Sequence, residues 1–168
     1  MKDKLFLTGA LHVGKSTCVD KVLLPLAGDA AGFRTWFQGE ARDVLMLSNI
    51  NHSDAQVVAR LIRGGGRAVS TEVFNTHGTA LLRAAQGARL VVMDELGRLE
   101  QEALGFQAQV LKTLDAPSPV LGVLRHNAHG WLDAVRLHPR VRVIEVTLDN
   151  RDTIPKLLLE TLAELGVQ

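Results

Sequence analysis

With 168 residues, 46% of them hydrophobic, and a mean hydropathy of +0.11, the chain has enough apolar material for one packed core and is too short for a multidomain machine. Nineteen Lys and Arg against eighteen Asp and Glu leave a net charge of +1, which excludes a bulk positive field for nucleic acid or an anionic membrane. Any phosphate binding must therefore come from a local site.

The absence of Tyr and an aromatic content of 4% leave little surface on which to stack successive bases, so nucleic-acid binding is not expected. One cysteine, Cys18, rules out an intrachain disulfide and a cysteine-rich zinc site. No window of about eighteen residues is continuously apolar. The run Leu5 to Leu7 meets Thr8-Gly9 before it reaches the length of a secretory core. The expectation is a cytoplasmic protein without a membrane span, with any protein partner left unknown.

Lys4 to Thr8 reads as a short strand ending on Gly9, and Ser16 to Leu26 turns helical, stopping within Pro25 to Gly28. Gly32 to Gln38 and Val44 to Leu47 are strand-like and are separated by Gly39 to Asp43, a spacing suited to an antiparallel hairpin. Asp54 to Arg63 is expected to be a helix closed by Gly64-Gly65-Gly66, with a loop beside a ligand as the alternative for the glycines. Ala68-Val69 adds a short strand, and Glu72 to Gln86 is helical in spacing with Gly87 just past its end.

Arg89 to Met93 shows no polar alternation, as expected of a strand covered on both faces. Gln101 to Leu114 reads as a helix, Pro119 to Leu124 as a buried strand and Asp133 to Leu137 as a short helix. Val141 to Val146 is the last strand and Ile154 to Leu165 the closing helix. The alternation of strand and helix predicts a three-layer α/β/α fold around a mostly parallel sheet, with one antiparallel hairpin.

Gly9-Ala10-Leu11-His12-Val13-Gly14-Lys15-Ser16-Thr17 matches the phosphate-loop pattern of glycine, four residues, then glycine, lysine and a hydroxyl residue. Chance odds for such a match in a chain this long are roughly one in two hundred on average composition. The glycines let backbone N–H groups converge on phosphate oxygens, and the helix that follows aims its positive dipole end at the same point. Lys15 then reaches the β- and γ-phosphates, Ser16 places its hydroxyl on Mg²⁺, and Thr17 contacts the α-phosphate. His12 reads as a tolerated polar loop residue, since the loop works through its backbone.

Asp94, at the tip of the buried strand, stands where P-loop enzymes place the carboxylate of the magnesium shell. Glu95 follows it and suits the orientation or deprotonation of a water that attacks the γ-phosphorus. The alternative is an acidic pair that stabilises a helix start.

Three segments together resemble the cancer-related nucleoside-triphosphatase family of small P-loop proteins. Asp94-Glu-Leu-Gly-Arg-Leu-Glu100 is similar to the family's Asp-Glu-Ile-Gly-Lys-Met-Glu, Gly32-Phe33-Arg34-Thr35 resembles its Gly-Phe-Tyr-Thr strand, and Glu145 to Asp152 resembles its closing strand and Thr-x-x-Asn-Arg-Asp turn. The resemblance covers nearly the whole chain and implies a P-loop NTPase fold, slow hydrolysis of many nucleoside triphosphates, a catalytic glutamate at Glu95 and a basic position at Arg98. The chain departs from the family at Trp36-Phe37 and at Ala41-Arg42-Asp43, which stands where relatives carry a glycine-rich hairpin.

Arginines usually supply charge stabilisation in phosphoryl transfer, and the candidates are Arg34, Arg98 and Arg125. Arg125 ends a strand at the carbonyl edge, where ligand crevices lie, so it joins Lys15 and Glu95 as a catalytic candidate. Arg98 has a plain alternative, a surface pair with Glu102 if a helix starts there. Asn150 and Arg151, after the last strand, are candidates for the base, with a helix cap as the alternative for Asn150.

His126 and His129 lack a third ligand for zinc. Arg136 to Arg142 reads as a solvated basic face, and Cys18 as a buried small residue. The function expected is a Mg²⁺-dependent nucleoside triphosphatase of broad base tolerance. A small-molecule or nucleotide kinase and a nucleotide-gated binding module are the rivals.

Overall fold

The computed structural model describes residues 1–168. Eight strands form one sheet: β1 (Lys4–Thr8), β2 (Ala30–Gln38), β3 (Val44–Ser48), β4 (Gln56–Leu61), β5 (Arg67–Val69), β6 (Leu90–Leu96), β7 (Val120–Leu124) and β8 (Val141–Glu145). Their order is β5-β4-β3-β2-β6-β7-β1-β8. From β2 to β8 every pair is parallel, whereas β3, β4 and β5 extend the β2 edge by antiparallel pairing. The helices are α1 (Lys15–Leu26), α2 (Thr71–Val73), α3 (Thr79–Ala84), α4 (Leu104–Asp115), α5 (Leu132–Arg136) and α6 (Ile154–Glu164), and none is long and apolar enough to cross a membrane.

Strand pleating sorts the apolar residues into two cores. Leu5 and Leu7 face α1 and α6, where Val19, Val22, Leu158 and Leu162 meet them, whereas Phe6 faces the opposite layer with Phe33, Phe74 and Phe106. This double burial explains why β1, β6 and β7 read as unbroken apolar runs. Gly32 lets β2 lie against β6: a Cβ there would stand 2.1 Å from the Val92 carbonyl oxygen.

The helix expected over 54 to 63 is instead the strand β4. Val57 and Val58 favour extended backbone, and pairing with β3 on one side and β5 on the other satisfies the segment's hydrogen bonds. Gly64, Gly65 and Gly66, all at positive φ, make the turn between β4 and β5. They are not a helix cap, and the Ile62 N–H donates to the Gly66 carbonyl across the turn at 3.1 Å. The predicted hairpin is therefore half of a four-stranded antiparallel extension.

Over Glu72 to Gln86 the helix is present, interrupted by a wider π-helical turn at Phe74–Gly78. A Cβ at Gly78 would lie 2.9 Å from the Phe106 ring. The helix predicted from Gln101 starts at Leu104, because the Gln107 side-chain amide donates to the Glu100 and Gln101 carbonyls at 2.8 Å each and fixes that stretch as a turn.

Candidate active site

The phosphate loop leaves β1 at Gly9 and enters α1 at Gly14, whose φ of 114° suits glycine alone. Gly9 is equally constrained, since a Cβ there would meet the Val146 carbonyl oxygen at 2.5 Å. Val13 is buried and anchors the loop, while Ala10, Leu11 and His12 are exposed. The Lys15 ammonium donates to the carbonyls of Gly9 at 2.7 Å and Ala10 at 2.8 Å, which holds it across the mouth of the loop. Burial lowers its pKa, while the Glu95 and Asp94 carboxylates act in the other direction.

Asp94 and Glu95 come from the carbonyl end of β6. Asp94 is 5% exposed, and its Oδ2 accepts Arg34 Nε at 3.0 Å and Nη2 at 2.7 Å. Arg34 Nη1 reaches Asp20 on α1 at 2.6 Å. Burial pushes the Asp94 carboxyl up and Arg34 draws it back down, with the net shift upward. Burial also raises Glu95, against the pull of Arg125, whose Nη1 lies 3.6 Å from Glu95 Oε1. Thr35 on β2 braces the pair, its hydroxyl donating to the Asp94 carbonyl at 3.4 Å and accepting the Glu95 N–H at 3.3 Å.

These groups line one cavity of about 750 Å³, together with Ser16 and Thr17 at the start of α1. Arg98 lines it too, donating to the Asn127 carbonyl at 3.3 Å. Residue 98 lies ahead of α4, so the helical pair with Glu102 is not formed.

Asn150 and Arg151 stand apart from this cavity. The Asn150 amide is engaged by its own turn, accepting from Thr147 N at 2.8 Å and donating to the Glu145 carbonyl at 2.9 Å. Arg151 lies against the loop, where a Cβ on Gly14 would be 3.5 Å from Arg151 Cδ.

Other candidates resolve as structure. His129 pairs with Asp133, and no group of three His, Cys, Asp or Glu gathers to hold a metal. Arg136 pairs with Asp133 and Arg140 with Asp3. Cys18 is 2% exposed and burial raises its pKa, the opposite of a reactive thiol.

The sequence pointed to Arg34 only as one of three candidate arginines and passed over Asp20. Glu100 appeared only within a motif, yet it is 3% exposed, its Oε2 accepts the Gly97 N–H at 2.9 Å, and burial pushes it up to about 7. Its signal was present: a glutamate three residues after a glycine at a strand end.

The family model described as NTPase matches residues 4–159. The nucleoside-triphosphatase THEP1 of Thermofilum pendens is 31% identical over 172 residues, covering 95% of this chain and 94% of that protein. The THEP1 of Methanosarcina acetivorans is 29% identical over 175 residues, covering 97% and 99%. Among solved structures, THEP1 from the hyperthermophile Aquifex aeolicus superposes with a TM-score of 0.79 at 24% identity, covering 95% of this chain and 98% of the other. A human cancer-related nucleoside triphosphatase gives 0.79 at 23%, covering 96% and 97%. Both likenesses concern the fold, an α/β P-loop architecture. With a phosphate loop, a strand-end Asp-Glu pair and a family match spanning most of its length, the chain belongs to the NTPase family.

Proposed function

We propose that the protein hydrolyses nucleoside triphosphates to the diphosphate and inorganic phosphate in a Mg²⁺-dependent reaction with broad tolerance of the base, and that it works in the cytoplasm. The observation that carries this reading is the convergence of Lys15, Ser16, Asp94, Glu95 and Arg125, from three separate segments, on one cavity.

The donor set fits Mg²⁺, a hard cation bound through one or two protein oxygens besides phosphates and waters. Asp94 offers Oδ1, which has no hydrogen-bond partner while Oδ2 is held by Arg34, and Ser16 offers its hydroxyl. Mg²⁺ bound there would neutralise charge on the β- and γ-phosphate oxygens.

The chain's own residues account for the rest. Backbone N–H groups of the loop hold the phosphates, and Lys15 supplies the mobile cation beside the γ-phosphate. Glu95 accepts a proton from the attacking water as the new O–P bond forms and the β–γ bridge breaks. Its raised pKa makes it a stronger base near neutrality than an ordinary carboxylate. Arg125 steadies Glu95 and offers its guanidinium to charge developing on the phosphoryl group.

Two features support broad base use. The chain has no Asn-Lys-x-Asp turn to read guanine, and the Asn150 amide is committed to its own turn, which leaves Arg151 to offer a face that tolerates any base.

The test is phosphate release from ATP, GTP, CTP and UTP with and without Mg²⁺, by the parent and by Lys15→Ala. All four triphosphates should turn over within about tenfold of one another, since stacking tolerates every base, and chelation and Lys15→Ala should each abolish release. Parental turnover by a folded Lys15→Ala protein contradicts the phosphate-loop reading, and a thousandfold preference for one base contradicts the tolerance.

A further inference from the structure

The cavity does not end at the phosphate loop. It continues from Glu95 past β2 to the antiparallel edge of the sheet, where Trp36, Phe37, Arg42, His52 and Arg67 line it. In the sheet order β6 stands between β1, which carries the loop, and β2 to β5. Arg151, which the proposed function assigns to the base, follows β8 on the far side of β1. The outer half of the cavity therefore extends away from Arg151 and is not needed for the triphosphate's own base.

Charge divides the two halves. At the inner end Asp94 and Glu95 each have a cation, Arg34 on Asp94 and Arg125 beside Glu95. At the outer end Arg42 and Arg67 bring their guanidinium carbons to 5.0 and 5.1 Å from the centre of the Phe37 ring, and neither makes an ion pair or donates a side-chain hydrogen bond. Two guanidinium groups gathered around one aromatic ring offer paired N–H donors of the kind that bind phosphate.

Beside them Trp36 supplies a flat surface. Its indole stacks on the His52 imidazole at 4.9 Å and 26°, and its Nε1 donates to Ser48 Oγ at 2.9 Å, which fixes the ring. The inner and outer halves together make up the cavity of about 750 Å³.

We propose that the outer half of the cavity binds a second ligand, a phosphate-bearing aromatic molecule of nucleoside-monophosphate size, alongside the triphosphate on the loop. Its phosphate dianion lies between Arg42 and Arg67 and its ring packs against Trp36. Bound there, it shares one cavity with Glu95 and the γ-phosphate end of the loop.

Isothermal titration tests this on the whole protein, with the loop first saturated by Mg²⁺ and the β,γ-methylene analogue of ATP. AMP added to that complex should bind one to one. Its affinity should fall at least tenfold in Arg42→Ala/Arg67→Ala and in Trp36→Ala, and ribose 5-phosphate should bind at least tenfold more weakly than AMP. Hydrolysis of ATP alone by Arg42→Ala/Arg67→Ala should stay within twofold of the parent, which also shows that the variant is folded.

Absence of AMP binding to the loaded protein, displacement of the ATP analogue by AMP, or unchanged affinity in the double variant overturns the site. Equal affinity for ribose 5-phosphate overturns the aromatic part of the assignment. Failure of the analogue itself to bind would appear in the first titration and count against the phosphate-loop reading instead.

Discussion

Arg34 and Asp94 are register partners across the parallel ladder of β2 and β6, and the guanidinium closes on one carboxylate oxygen with two hydrogen bonds of 3.0 and 2.7 Å. The pair is largely shut off from solvent, with side-chain exposures of 13% and 7%. Such a pair is costly to break, because the remaining partner is left as an uncompensated buried charge. It also points the free oxygen of Asp94 into the site. Arg34→Met is expected to lower unfolding stability by about 3 kcal/mol, and adding Asp94→Asn should restore more than half of that loss. Urea unfolding of the two single variants and the double variant closes the cycle. Additive losses would mean that the two side chains do not stabilise each other.

Glu100 makes stability depend on pH. Its ordinary pKa of 4.5 in the unfolded chain rises to about 7 in the folded one, because the carboxyl is buried. Between these values the native state holds a proton that the unfolded state has released. Stability is therefore greatest below pH 4.5 as far as this group is concerned, falls as pH rises through that window, and levels off above about 7. At 1.36 kcal/mol per pH unit the contribution is about 3 kcal/mol. Glu100→Gln keeps an oxygen for the Gly97 N–H and removes the titration, so its stability between pH 5 and 8 should be flatter than the parent's. Identical pH profiles for parent and variant would count against a protonated Glu100.

The parts of the site legible in sequence are those whose chemistry fixes a local spacing. The loop from Gly9 to Thr17 and the acidic pair at the end of an apolar strand carry their geometry in the order of residues. So do most of the fold's parallel strands, which are apolar on both faces.

What could not be read depends on partners far along the chain. Arg34 meets Asp94 only because β2 lies next to β6, and nothing in Gly32 to Gln38 encodes which strand will be its neighbour. The strand at Gln56–Leu61 read as a helix because its apolar spacing over ten residues fits either period, and the two valines and three glycines decide the matter only once β3 and β5 are there to pair. Arg42, Arg67 and Phe37 likewise meet through the antiparallel edge, which sequence had reduced to a single hairpin.

The central claim is that Glu95 activates the water that attacks the γ-phosphorus, and the comparison of Glu95→Gln with Asp94→Asn tests it most directly. Turnover is measured over a range of Mg²⁺ concentrations, with triphosphate affinity and folding checked for each variant. Glu95→Gln should bind nucleotide as the parent does and lose turnover by about 10² to 10⁴, the usual contribution of a positioned general base, with no recovery as metal is raised. Asp94→Asn should recover activity progressively with metal, since it weakens the donor set and leaves the base intact. Parental turnover by Glu95→Gln, or equal rescue of both variants by Mg²⁺, would contradict the assignment.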